Sequence, residues 1–136
     1  KFRDMHLQRQ GEFFEFYFLN THFDHIGDTA RKESAVLLLD FIHENTDGLD
    51  VVLTGDFNFT PDEEPYTVMI SVDKNDSGLE DAIGVTSPEI IENGEPTYNG
   101  FGQSADNKRI DFIFVSPNYQ LTEVNVTQPT TSYSLP

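Results

Sequence analysis

Three apolar blocks in a fixed order constrain the fold of this chain more than any other feature. Phe13, Phe14, Phe16, Tyr17, Phe18 and Leu19 make a dense aromatic run that ends in Asn20-Thr21-His22. Such a composition suits a strand buried on both faces inside a sheet. From Thr29 to about Asn45 the spacing becomes helical, with Ala35, Leu38, Leu39 and Ile42 on one stripe. Asp28 or Thr29 can cap its start and Gly48 follows its end. Val51-Val52-Leu53 then forms a short buried strand running into Gly55-Asp56-Phe57-Asn58. Strand, helix and strand with short connections predict a βαβ unit with parallel strands, whose polar residues gather at the strands' carboxyl ends. His22 and Asp56 are therefore expected at one edge.

The rest of the chain is read more coarsely. Thr60-Pro61-Asp62-Glu63 has the form of a capping box with proline at the first helical position, and Pro65 delays the regular helix to about Glu64 to Ile70. Ser71 to Gly102 is rich in Asp, Asn, Gly, Ser and Pro, carries only weak apolar signals at Leu79, Ala82 and Ile83, and reads as loop with a helical turn. Ile110 to Val115 is a strand with two mostly apolar faces, and Leu121, Val124 and Val126 suggest another. Gln128 to Pro136 carries no core pattern, and no repeat or second domain is visible in the 136 residues.

Composition removes several function classes. The chain has no cysteine, so disulfide scaffolds, thiolate metal sites and cysteine nucleophiles are excluded, while the compartment, cytoplasmic or exported, stays open. No apolar run approaches the roughly 20 residues that span a bilayer. With 24 Asp+Glu against 8 Lys+Arg and a net charge of -16, the chain is a poor candidate for wrapping duplex DNA by phosphate neutralisation. Phosphate chemistry through a bound cation remains compatible with that charge.

Three polar clusters sit at the end of, or inside, apolar strands: Asn20 with His22, Asp56 with Asn58, and Asp111. An aspartate between Ile110 and Phe112 is expected to be buried and so to need a compensating partner. Each residue taken singly also has an ordinary structural reading, as a cap, a turn residue or a satisfied polar group, and Asp56 and Asn58 fit an Asx turn.

Together and in this order, the clusters resemble the endonuclease/exonuclease/phosphatase superfamily of metal-dependent phosphohydrolases, particularly its bacterial branch. Asn20-Thr21-His22-Phe23-Asp24-His25 looks like its strand-end Thr-His motif, Gly55-Asp56-Phe57-Asn58 like its Gly-Asp-x-Asn motif, and Arg109-Ile110-Asp111-Phe112-Ile113-Phe114 like its Arg-Ile-Asp-Tyr-Ile-Phe strand. The resemblance implies an α/β fold, part of a deoxyribonuclease-like four-layer sandwich of two packed mixed sheets flanked by helices. It also implies Asp56 as general base, Asn58 as holder of the attacking water or a phosphoryl oxygen, and His22 as hydrogen-bond donor to a non-bridging oxygen. Asp111 would orient a histidine from a C-terminal Ser-Asp-His motif. The implied cofactor is Mg²⁺ or Mn²⁺, with Asp56 and Asn58 as candidate ligands.

Asn20, Arg31 and Asn99 are candidate substrate contacts. Arg31 also reads as a surface ion-pair residue, and Tyr98 and Asn99 as a structural turn. His6 and His43 read as solvated surface, and Asp62, Glu63 and Glu64 as a helix start. The chain begins at Lys1 without a signal-peptide pattern and stops at Ser134-Leu135-Pro136. By the resemblance it would be the C-terminal portion of a single domain, without the N-terminal half that carries a metal-binding Glu and without the Ser-Asp-His segment. Two functions follow as expectations. One is a phosphodiesterase or phosphatase acting on a small phosphoester or a short nucleic-acid end in preference to long duplex DNA. The other is a non-catalytic fragment or interaction module of the same fold. A half-sandwich would expose a sheet face, so self-association is expected in either case.

Overall fold

The computed structural model describes residues 3–9, 12–71, 78–86, 96–98, 100 and 108–117. The elements run β1 (Arg3–Arg9), β2 (Glu12–His22), α1 (Asp28–Asn45), β3 (Asp50–Asp56), α2 (Glu64–Ile70), β4 (Glu80–Asp81), α3 (Ala82–Thr86) and β5 (Asp111–Val115). They form a mixed five-stranded sheet in the order β1-β2-β3-β5-β4. β2 and β3 are parallel with α1 as their crossover, as the hydrophobic pattern predicts, and the remaining pairs are antiparallel. The α/β class holds.

Strand register assigns the two faces. Leu19 pairs with Leu53, which pairs with Phe114, so one row of large apolar side chains crosses the sheet on a single face. These residues are buried at 1%, 0% and 0% exposure. Against them pack Ala35, Leu39 and Ile42 of α1 and Met69 of α2, with Phe57, Phe59 and Phe112. Phe57 meets Phe23, Phe112 and Phe114 edge-on at centroid distances of 5.1, 5.9 and 5.2 Å, a favoured geometry for aromatic pairs. The helices therefore cover one face and leave the other to a different set of residues.

That second face corrects two expectations. β2 is not buried on both sides: Tyr17 and Phe18 are half-buried and Asn20 is exposed. On β5 the same face exposes Asp111, expected to be buried, and Ile113 at 42%, although Val115 next along it is buried at 1%. A run of apolar residues cannot itself reveal which face a helix will cover.

Other boundaries differ in detail. α1 begins at Asp28 with Gly27 at its N-cap, which has no side chain to cap with; the loop carboxylate of Asp24 accepts the Gly27 N–H at 2.8 Å. The capping-box residues do meet: Glu63 Oε1 accepts from the Thr60 N–H and from the Thr60 hydroxyl. They close a turn ahead of α2, whose first turn holds Pro65 rather than Pro61. β1 and the two-residue β4 are strands that the pattern did not predict. The helical turn expected somewhere within Ser71 to Gly102 is present as α3. The strand expected around Leu121 to Val126 lies outside the described residues.

Candidate active site

The second face of the sheet carries the candidate site. His22 pairs with Asp56, and Asp56 pairs with Asp111, so the three residues form one row across β2, β3 and β5. This follows from the parallel β2–β3 register, which brings both carboxyl ends to the same edge, and from β5 entering at that edge. His22 Nε2 lies 3.6 Å from Asp56 Oδ2, with the imidazole 71% and the carboxylate 34% exposed. The pair is thus accessible to a ligand.

The chain after β3 fixes the carboxylate. Asp56 Oδ1 accepts the Asn58 backbone N–H at 3.0 Å, an Asx turn. Asn58 adopts φ +52, a left-handed conformation that asparagine tolerates better than most residues. Its side-chain Nδ2 donates to the Phe23 carbonyl at 3.0 Å, while the Phe23 N–H donates to the Asp56 carbonyl at 2.9 Å. The loops after β2 and β3 are stitched together by these two bonds. Phe57 and Phe59, both wholly buried, alternate with Asp56 and Asn58 and anchor the segment from below. With Oδ1 engaged, Asp56 keeps Oδ2 for a proton or a cation. With one N–H of Nδ2 engaged, Asn58 keeps its amide oxygen as an acceptor.

Asp111 departs from expectation. It is exposed, and so needs no compensating charge for burial. Its strand position is set by Thr97, whose hydroxyl accepts both the Ile110 and the Asp111 N–H groups at 3.0 Å. Asn20 lies one row below the site on the same face, and its Nδ2 donates to its cross-strand partner Thr54, at 2.8 Å to the hydroxyl. Arg31 is neither a surface ion pair nor at the row: at 6% exposure its guanidinium is held by Asp28, Glu63 and the Asp24 carbonyl. Asn99 lies outside the described residues, and neighbouring Tyr98 forms a bridge with Lys108, which fits the turn reading. His43 is exposed on α1.

The loop after His22 is ordered by its own carboxylate. The Gly27 N–H holds the Asp24 carboxyl below the usual range against the opposing effect of burial, with lesser help from Ile26 and His25. A cavity of about 310 Å³ opens beside this loop, between His22 and the Leu38 and Phe41 side of α1. A larger one, about 430 Å³, lies by Asp50 at the opposite end of β3. It is lined by Asp50 and Val51 at the start of β3, whereas Asp56 ends that strand, so it is remote from the row.

The sequence motif gave no sign of a second arginine network. Arg109 makes a two-pronged ion pair with Asp81 at 3.1 and 2.6 Å, and its guanidinium lies 4.3 Å above the Phe112 ring. Tyr66 donates to the same aspartate at 3.1 Å. This network anchors the approach to Asp111 onto α2 and β4. The motif arginine carries no local mark of its partner, which lies 28 residues away in the chain.

Among the described residues no group of three His, Asp or Glu side chains is gathered to hold a metal. The oxygen donors of Asp56 and Asn58, with Asp111 next in the row, suit a hard cation that keeps most of its own water, as Mg²⁺ does with one or two carboxylates. No helix of the described residues is long and apolar enough to cross a membrane.

Residues 3–133 match the model of the endonuclease/exonuclease/phosphatase family. A protein of that family from Bacteroides thetaiotaomicron is 37% identical, with a TM-score of 0.59 over 79% of this chain and 37% of its own. A mannosyl-6-phosphatase from the same organism is 33% identical, with a TM-score of 0.59 over 80% of this chain and 39% of its own. The catalytic domain of human nocturnin, at 24% identity and a TM-score of 0.59 over 85% of this chain and 40% of its own, shares the fold. The chain thus spans less than half the length of these structures. No curated protein matches it.

Proposed function

The chain belongs to the endonuclease/exonuclease/phosphatase family, and from that premise we propose that it carries the water-activating part of a divalent-metal-dependent phosphoester hydrolase. The observation that carries this reading is the row of His22, Asp56 and Asp111 at one sheet edge, with Asn58 fixed beside it.

Asp56 acts as general base. Its Oδ1 is tied to the Asn58 amide, which leaves Oδ2 to take the proton from an attacking water. Asn58 holds that water through its free amide oxygen. His22, 3.6 Å from Asp56 Oδ2 and exposed, stands where it can donate to a non-bridging phosphoryl oxygen. Asp111 orients a histidine from a further segment at the same edge. Asp56 and Asn58 would hold Mg²⁺ or Mn²⁺, which when bound polarises a phosphoryl oxygen and offsets leaving-group charge.

The substrate is a small phosphoester or a short nucleic-acid end. A net charge of -16 disfavours long phosphate polymers, and a sugar-phosphate specificity is named for a 33%-identical structure. The half-buried second face, with Phe18, Val52 and the 42%-exposed Ile113, is covered by self-association or by a further segment of the domain, of which this chain would be the C-terminal portion. Light scattering that shows a monodisperse monomer would exclude the first of these.

Hydrolysis of bis(p-nitrophenyl) phosphate, with and without Mg²⁺, tests the reading on three proteins: the 136-residue chain, the chain extended by the flanking residues of its gene, and Asp56→Asn. Metal-dependent turnover lost in Asp56→Asn is expected. Inert extended protein in the presence of metal would end the enzymatic reading. Activity should also fall only gently with added salt, because few Lys and Arg are available for phosphate contacts.

A further inference from the structure

The geometry points to Arg31 and Glu63 as a positioning pair that holds the Asp56–Asn58 segment and the loop after His22 in register with each other. Neither residue touches the row. Arg31 stands in the first turn of α1, and its guanidinium donates to the Asp24 carbonyl at 3.4 Å, to Asp28, and to Glu63 Oε2 at 3.2 Å. Asp24 belongs to the loop that leaves His22. Glu63 in turn uses its other oxygen, Oε1, to accept from the Thr60 N–H at 3.2 Å and the Thr60 hydroxyl at 3.0 Å. Thr60 follows Asn58 by two residues, across the wholly buried Phe59.

One guanidinium thus joins both strand-end loops to α1. On the far side, the segment is already fixed by the Phe57 N–H to the Ile110 carbonyl at 2.8 Å and by the Phe23 bonds. The Arg31–Glu63–Thr60 chain supplies the remaining restraint, which keeps Asn58 at its left-handed φ.

The cost of the arrangement argues for position over bulk stability. Arg31 is buried, and its Nε has no hydrogen-bond partner among the described residues. Burying a guanidinium with one donor unpaired forfeits much of what its ion pairs return, and an apolar side chain would fill the same space more cheaply. A planar fork reaching three acceptors on separate segments is what arginine offers and an apolar residue cannot.

The test uses the 136-residue chain with Arg31→Met and Glu63→Gln, and Thr46→Val as a control. Thr46 is buried at the other end of α1, where its hydroxyl donates to the Ile42 carbonyl. Amide hydrogen exchange is the first readout. In Arg31→Met the Asn58 and Thr60 amides should exchange roughly tenfold faster relative to Val51 and Leu53 in the same strand and its continuation. Glu63→Gln, which can keep the Thr60 contacts, should show a smaller change, and Thr46→Val no selective change. A uniform rise across all these amides in Arg31→Met overturns the proposal, since it would mean that Arg31 supports only global stability.

The second readout rests on the phosphoester-hydrolase reading. There kcat should fall roughly 10- to 100-fold in Arg31→Met with KM little changed, as misplacement of reacting groups dictates. Unchanged kcat per folded molecule overturns the positioning role. That readout uses the chain extended by the flanking residues of its gene; if the extended wild type shows no turnover with metal, the functional reading falls instead, and the exchange pattern still decides the proposal.

Discussion

Gly55 is where a single methyl group should separate the strands that build the site. An alanine Cβ there would stand 2.2 Å from the Thr21 carbonyl oxygen and 3.0 Å from its carbonyl carbon. Close carbon–oxygen contacts between strands run about 3.3–3.6 Å, so β2 and β3 would have to part by about 1 Å at this point. The obstacle is backbone, which no side-chain rotation can clear. Overpacking of this kind costs about 1–3 kcal/mol, and losing one or two ladder hydrogen bonds adds about 1 kcal/mol each. The sum, about 2–5 kcal/mol, is a large share of the 5–15 kcal/mol typical of a domain. The Tm should drop by about 10–20 °C. Because Thr21 and Gly55 are the pair next to His22 and Asp56, their separation would also widen the 3.6 Å approach between those side chains. Guanidinium chloride denaturation followed by circular dichroism measures the loss, with two reference substitutions. Gly84→Ala meets nothing within 4 Å in α3 and should be neutral or stabilising by about 0.5–1 kcal/mol. Gly48→Ala meets nothing either, but at φ +78 it should cost about 1–2 kcal/mol from backbone conformation alone. A Gly55→Ala protein within 1 kcal/mol of wild type would refute the close approach, and with it the β2–β3 register that aligns His22 with Asp56.

Three more perturbations probe the parts around the row. Asp81→Asn leaves Arg109 without its buried counter-charge and should cost about 3–5 kcal/mol in the same denaturation assay, against near-neutral effects at exposed Asp47. Phe57→Ala removes a wholly buried ring that touches Phe23, Phe59, Phe112 and Phe114, and should cost about 3–5 kcal/mol. Burial, and after it the adjacent Asp81, raises the pKa of Tyr66 above 10.0. The folded protein then keeps a proton that the unfolded chain releases, so this contribution to stability is complete below pH 10.0 and is lost as pH climbs through the folded value. Phenolate absorbance should show a late-titrating tyrosine that disappears in Tyr66→Phe, and its persistence in that variant would refute the assignment.

What the sequence makes legible divides along a physical line. The βαβ unit is readable because each of its faces writes a period into the chain: the aromatic run of β2, the Ala35–Leu39–Ile42 stripe of α1, and the Val51–Leu53 strand. The meeting of His22 and Asp56 follows from the same reading, since a parallel pair brings like ends together. β1 leaves no such trace. Its residues Arg3–Arg9 alternate weakly, and what places them is backbone pairing with β2, to which side-chain periodicity is blind.

The charged residues fail for a different reason, and in opposite directions. Asp111 looked buried because apolar neighbours surround it in sequence, yet in a strand those neighbours point to the other face, and Asp111 shares the exposed face with Ile113. Arg31 looked exposed because it begins an amphipathic helix, yet it is buried through a partner 32 residues away. Burial of a charge is decided by its partner, and a partner distant in sequence writes no local pattern. The motif at Asp56 is legible for the converse reason. Its turn closes through Asn58 two residues on, so the aspartate, the asparagine and the glycine demanded by Thr21 are adjacent in the chain. The groups proposed to handle the phosphoester are therefore local and readable, whereas the Arg31–Glu63 and Arg109–Asp81 pairs that hold them in place are assembled only by the fold.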